Sequence, residues 1–164
     1  MSRIILVLSL ILSLSTNAIE VSNFSFGQAC TDGKTFGWIC HETTDVYVNG
    51  QGRCLWNEES KPCTWYGFQF DYKGYKIGDV IRCTYKTSEI GSAGNPREVV
   101  TNNSDSGEYS LTLDSESGHF YNPQYVIFST MPKEKQIIQS ESVCKFGGEE
   151  LFRYKFNTHY PLAK

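Results

Sequence analysis

The stretch WYGFQFDY, Trp65 to Tyr72, alternates without a break. Tyr66, Phe68, Phe70 and Tyr72 fall on one side of an extended chain, and Trp65, Gly67, Gln69 and Asp71 on the other. Successive side chains of a β-strand point to opposite faces, so period two with one apolar side marks a strand lying on a core. The same period recurs further along the chain. In GDVIRCTYKT, Ile81, Cys83 and Tyr85 oppose Val80, Arg82, Thr84 and Lys86. In GEYSLTLD, Tyr109, Leu111 and Leu113 alternate with polar residues, and in ELFRYKF so do Phe152, Tyr154 and Phe156. QYVIFS, Gln124 to Ser129, is a continuous apolar run of the kind covered on both faces.

Turn signals separate these runs. Asn49-Gly50 lies between two short β-runs and reads as a hairpin, since both residues tolerate positive φ. Lys73-Gly74 divides its neighbours in a similar way. The segment after Met131-Pro132, Lys133 to Gln139, reads either as the one helix or as the approach to a strand reaching Cys144. Thr87 to Gly107 is the longest polar stretch, with room for a short strand at Arg97 to Val100. Frequent turns and many short strands imply an all-β, single-domain antiparallel β-sandwich, Ig-like or jelly-roll-like in architecture.

All six cysteines, at 30, 40, 54, 63, 83 and 144, follow residue 18. An even set in an exported chain reads as three disulfides, whereas zinc would call for C-x2-C or H-x3-H spacing that is absent here. Fifteen pairings are open. Loop length favours Cys30–Cys40, Cys54–Cys63 and Cys83–Cys144. In the chain-entropy estimate a short loop such as Cys54–Cys63 contributes about 2.7 kcal/mol, and the long Cys83–Cys144 loop about 4.3 kcal/mol. A true immunoglobulin domain is not indicated. It would place a tryptophan on the strand after the first cysteine, where NPRE stands, and a tyrosine two before the second, where Ser142 stands.

The beginning of the chain, MSRIILVLSLILSLSTNA, carries Arg3, an eleven-residue apolar run from Ile4 to Leu14, and then small residues. It reads as a signal peptide over residues 1–18, cleaved after Ala18, because the run is too short to span a bilayer that needs about 20 residues. Residues 19–164 are then a secreted or periplasmic domain with no lipid anchor. Loss of Arg3 takes the formal net charge from −3 to −4. A mildly acidic chain without a basic cluster offers no footprint for nucleic acid or anionic lipid. The three tryptophans, ten tyrosines and ten phenylalanines all follow residue 18, which favours strands. No cofactor is indicated, and a monomer is expected. Asn23-Phe24-Ser25 and Asn102-Asn103-Ser104 are glycosylation sequons that matter only in a eukaryotic secretory route.

Catalytic signals are sparse. There is neither a G-x-S-x-G elbow nor an H-E-x-x-H motif. His41 reads as a strand-end residue and His159 as part of a frayed tail. His119 sits among serines, acids and tyrosines, and with Asp114 and Ser117 would be the site of a small hydrolase. Glu58-Glu59, Glu149-Glu150 and Asp114/Glu116 read as solvated acids rather than a facing glycosidase pair. NNSDSGE and DSESG match no EF-hand spacing, so no metal is expected.

Aromatic residues point to binding. Trp65, opposite Tyr66 and Phe68, and Trp56 are candidate anchors for a protein or for sugar rings. Ser117, Gly118, His119 and Tyr121 complete the candidate contacts, on a loop from Ser115 to Tyr121 beside a second loop, Gly91 to Ser106. The string Ser117-Gly118-His119-Phe120-Tyr121 reads S-G-x-x-Y and resembles the short inhibitory loop of bacterial periplasmic lysozyme inhibitors, which are small exported β-proteins. That five-residue resemblance implies an inhibitor-type role. The expected function is non-enzymatic binding of a protein partner, with carbohydrate binding or hydrolysis near His119 as alternatives.

Overall fold

The structure is a computed structural model and describes residues 18–31, 36–56, 58–91, 93–94, 104–127 and 137–160. The expected signal segment, all but its last residue, lies outside these, as does the short strand expected at Arg97 to Val100. The described residues form eleven strands and no helix: β1 (Glu20–Thr31), β2 (Phe36–Glu42), β3 (Asp45–Tyr47), β4 (Gly52–Trp56), β5 (Glu59–Lys73), β6 (Ile81–Gly91), β7 (Ala93–Gly94), β8 (Ser104–Leu111), β9 (Ser117–Ile127), β10 (Ile137–Phe146) and β11 (Glu149–His159). Part of the helix candidate, residues 133–136, is not described; its last three residues open β10 instead.

Two sheets face each other. Sheet A runs β2-β1-β5-β9-β7, with β4 also on β5; sheet B runs β3-β11-β10-β6-β8. Every pairing is antiparallel except that of β3 with β11, three residues long. The long strand β5 is the spine of sheet A. Its final turns pair with β1 on one edge and with β9 on the other, and its first residues pair with β4.

The alternation of β5 decides what lies between the sheets. Tyr66, Phe68, Phe70 and Tyr72 are buried and meet Phe152, Tyr154 and Phe156 of β11. Ring centroids lie 5.2 Å apart for Phe68 and Tyr154, 5.1 Å for Phe70 and Phe152, and 5.0 Å for Tyr66 and Phe156. Phe26 adds rings at 5.0 Å from Tyr154 and 4.7 Å from Phe156. Each such side chain contributes about 2–3 kcal/mol by leaving water.

The disulfides join Cys30 to Cys40, Cys54 to Cys63 and Cys83 to Cys144, and no described cysteine is free. Each bridges two strands that are neighbours within one sheet. Cys83 and Cys144 are direct partners in the β6–β10 register, 4.1 Å apart at Cα. An immunoglobulin domain bridges its two sheets instead. Here no disulfide crosses the sandwich, so aromatic burial holds sheet to sheet.

Four expectations need correction. Asn49-Gly50 is not a hairpin, because β3 belongs to sheet B and β4 to sheet A. The turn carries the chain between sheets, with Gly50 at φ 68°. The buried hydroxyl of Thr64 holds it, accepting from the Asn49 amide at 2.8 Å. Lys73-Gly74 is likewise a passage from sheet A to sheet B, with Gly74 at φ 80°. Ser115 to Tyr121 is not a free loop. From Ser117 onward it is β9, paired residue for residue with β5. Serine, glycine and histidine conceal a period-two pattern there, in which Phe120 faces inward and His119 and Tyr121 outward. The protruding loop implied by the S-G-x-x-Y resemblance is therefore absent. The long polar stretch also contains more strand than expected, since β6 continues to Gly91 and β8 begins at Ser104.

Candidate functional site

The outward residues of β5 set out a strip across sheet A. Asp71 pairs in register with His119 of β9, and Gln69 with Tyr121. On the other edge, Ser22 pairs with Asp71, Ser25 with Gln69, and Gly27 with Gly67. Three distant segments thereby converge. His119 Nδ1 lies 2.8 Å from Asp71 Oδ1, and Asn23 Nδ2 donates to Asp71 Oδ2 at 2.6 Å. Asn23 reaches it because β1 bulges between Ser22 and Ser25, with Asn23 at φ 50°. The hydrogen bonds from Asn23 and then His119 hold the Asp71 carboxyl below its ordinary value of 3.8.

An aspartate on one imidazole nitrogen is half of a hydrolytic triad. Among the described residues, His119 Nε2 has no hydrogen-bond partner, so no hydroxyl stands where a nucleophile would. Asp114, the carboxylate expected beside His119, is exposed and does not bond it. Ser117 shares the outward side of β9, but only its carbonyl oxygen is engaged, by Ser115 Oγ at 2.7 Å. Gly118 falls on the inward side, opposite Tyr72. The pair rests on the outer sheet face with both side chains about half exposed.

Strand β2 covers part of this face, which the sequence pattern did not reveal. Its pairing with β1 breaks register twice, after Gln28 and after Cys30. Beyond those breaks it lies over the outer side of sheet A. The Ile39 amide donates to Gln69 Oε1 at 3.0 Å, and Gly37, at φ 84°, sits on the Tyr121 ring. A methyl group at Gly37 would come within 2.0 Å of that ring, and one at Gly27 within 2.1 Å of the His41 carbonyl oxygen. Only glycine permits such contact. Ser25, Gly27 and Gly67 are consequently buried although they point away from the main core. Ser25 Oγ and the Tyr121 hydroxyl are buried with no hydrogen-bond partner among the described residues. Each such group costs about 1–3 kcal/mol. Burial pushes the Tyr121 phenol up to about 12.

The other candidates divide. Trp65 is half-buried on the outer side of β5, with its indole against Gly52. Trp38, which the sequence groups with Trp56 and Trp65, stands exposed on β2 beside the Gly37–Tyr121 contact. The backbone of Trp56 ends β4, and its side chain is outside the described set. His159 is not frayed. It closes β11, with Nε2 2.6 Å from Asp45 Oδ1 and its ring stacked on Tyr47 at 4.5 Å. On the outer side of sheet B, Arg153 grips Glu150 at 2.7 Å and also bonds Glu141. Glu150 is thus committed to arginine rather than to a facing carboxylate. No group of three or more histidine, cysteine, aspartate or glutamate residues is arranged to hold a metal among the described residues.

These carboxylates carry a pH prediction. Asp45, Asp71, Glu141 and Glu150 are all held below their ordinary values, chiefly by hydrogen bonds from His159, Asn23, Arg153 and Arg153 respectively. A folded-state value below the unfolded one means that the native state binds its proton less readily. The stabilisation is therefore present above the ordinary values of 3.8 and 4.5 and is lost as pH falls through the lower folded values. Urea midpoints should be level from pH 7 to 5 and decline below about pH 4. A midpoint that rises on acidification would contradict these assignments.

No protein-family model matches the chain, and no curated protein matches it. Among solved structures it is similar to an immunoglobulin-like protein from Pseudomonas aeruginosa, at 17% identity and a TM-score of 0.55, over 87% of this chain and 97% of that one. The N-terminal domain of PorA aligns at 10% identity and a TM-score of 0.32, over 87% of this chain and 97% of that one. A glycosyl hydrolase family 2 member from Bacteroides cellulosilyticus aligns at 10% and 0.30, over 70% of this chain and 15% of that one. The last two share too little geometry to carry an argument. The first supports an immunoglobulin-like sandwich as architecture, and three disulfides indicate an oxidising compartment, extracellular or periplasmic.

Proposed function

We propose that this is a small exported protein that works by binding another protein, through the outer face of sheet A around Asp71, His119 and Tyr121. Residues 1–18 serve as its cleaved signal. One observation carries the reading. Three strands hold Asn23, Asp71 and His119 in a hydrogen-bonded row next to Tyr121, on a sheet braced by the Cys30–Cys40 and Cys54–Cys63 disulfides. A fixed row of donors and acceptors beside aromatic rings is the composition of a recognition surface, where few residues carry most of the affinity. The open sheet face and the unengaged His119 Nε2 favour recognition over hydrolysis.

The test is capture from periplasmic or extracellular extract by the immobilised protein, wild type against His119→Ala with Tyr121→Ala. Wild type should retain a partner that the double variant loses by on the order of a hundredfold in affinity. Equal capture by both would move the working surface elsewhere. A second reading has its own support. Exposed Trp38, next in sequence to the Gly37 that sits on Tyr121, is a stacking platform for a sugar ring. Oligosaccharides should then quench tryptophan fluorescence; a flat titration across a glycan panel removes that reading.

A further inference from the structure

The geometry points to the Cys30–Cys40 disulfide as a thiol–disulfide exchange site for a dithiol reductant, and to β2 as the strap that exchange releases. Access separates this bond from the others. Cys40 is exposed and Cys30 partly so, whereas Cys54 is 4% exposed and Cys63, Cys83 and Cys144 are at 0%. Exchange requires a thiolate to approach a sulfur, so burial protects the other two bonds.

The step balances with a dithiol as reductant. One thiolate attacks Cys40 Sγ, forming a mixed disulfide and expelling Cys30 as thiolate, which takes up a proton. The second thiol of the reductant then displaces Cys40 and closes the reductant's own disulfide. Two electrons and two protons pass to the protein, leaving two cysteine thiols.

Release follows from the way β2 is held. Near Glu42 and His41 it is in register with Gly27 and Gln28 of β1; one register break separates that part from Ile39 and Trp38, which pair with Ala29 and Cys30, and a second separates these from Phe36. The disulfide ties β2 to β1 at the first break, where Cys40 falls between His41 and Ile39. Under Gly37 lies the Tyr121 ring, whose hydroxyl is buried without a partner among the described residues, and lifting the strap lets water reach it. The closed position thus leaves the Tyr121 hydroxyl unsatisfied as the open one does not, and the covalent bond keeps it closed. Opening would bare the Gln69–Tyr121 strip beside His119, so reduction would enlarge the face assigned above to binding, on which this last consequence rests.

The test is brief treatment of the native protein with dithiothreitol, then iodoacetamide and peptide mass spectrometry. Cys30 and Cys40 should be alkylated on the order of tenfold or more faster than the other four. Hydrogen exchange should then rise in residues 36–42 and around Gln69, with β10 and β11 unchanged. The Cys30→Ala, Cys40→Ala variant should show the same exchange pattern without reductant. Comparable opening of either other disulfide overturns the proposal. So does unchanged exchange in β2 once Cys30 and Cys40 are alkylated. Neither readout involves a partner, so failure here is distinct from failure of the binding reading.

Discussion

Replacing Phe68 by alanine is expected to lower the unfolding free energy by about 3–5 kcal/mol, the range for removing a large ring from a close-packed core. Phe68 has 0% exposure in the middle of β5 and meets rings from both sheets, Phe24 at 5.8 Å and Tyr154 at 5.2 Å among them. Its position makes the loss costly in a way the disulfides cannot offset. All three bridges lie within a sheet, so they constrain the unfolded chain but do not hold sheet A on sheet B. Ring-on-ring packing is what joins the layers. A domain with an ordinary margin of about 5–15 kcal/mol would retain little of it. Urea unfolding followed by far-ultraviolet circular dichroism measures the change. A loss below about 1 kcal/mol would mean that the inter-sheet core is not organised around β5.

Joint replacement of Cys83 and Cys144 by alanine is the second large effect. The bond closes a sequence separation of 61, and the chain-entropy estimate for such a loop is about 4.3 kcal/mol. Removing Cys30 and Cys40 opens a separation of only 10, worth about 2.7 kcal/mol by the same estimate. The order should therefore be clear in urea midpoints. Burial strengthens it, because Cys83 and Cys144 are core residues whose loss also leaves space beside Tyr109, whose hydroxyl lies 3.8 Å from Cys144 Sγ. If the Cys30–Cys40 variant proved the less stable of the two, the long-range bond would not be the main brace.

Much of the inter-sheet core was legible in the chain. Tyr66, Phe68, Phe70 and Tyr72 were assigned inward by alternation alone, as were Phe152, Tyr154 and Phe156, and all are buried. The candidate site was less legible. His119 and Tyr121 stood out by composition, but as parts of a loop, and with Asp114 as the acid. Asp71 was only a polar position on the back of a strand. Its pairing with His119 spans 48 residues and depends on the β5–β9 register, which no local pattern specifies. Another signal was present but went unread. Gly147-Gly148, at φ 59° and 92°, makes the tight β10–β11 hairpin that Asn49-Gly50 was expected to make elsewhere.

The amino-acid order by itself determined the all-β class, the inward faces of β5 and β11 and the need for covalent bracing, because period two, aromatic density and an even set of cysteines act over neighbouring residues. Only the tertiary structure decided which strands share a sheet, which cysteines stand opposite one another, and that β2 folds over the outer side of sheet A. Those outcomes depend on register between distant segments. Register is set by the summed fit of whole faces, in which Gly27 and Gly37 matter through the close approach they allow and not through any signal of their own.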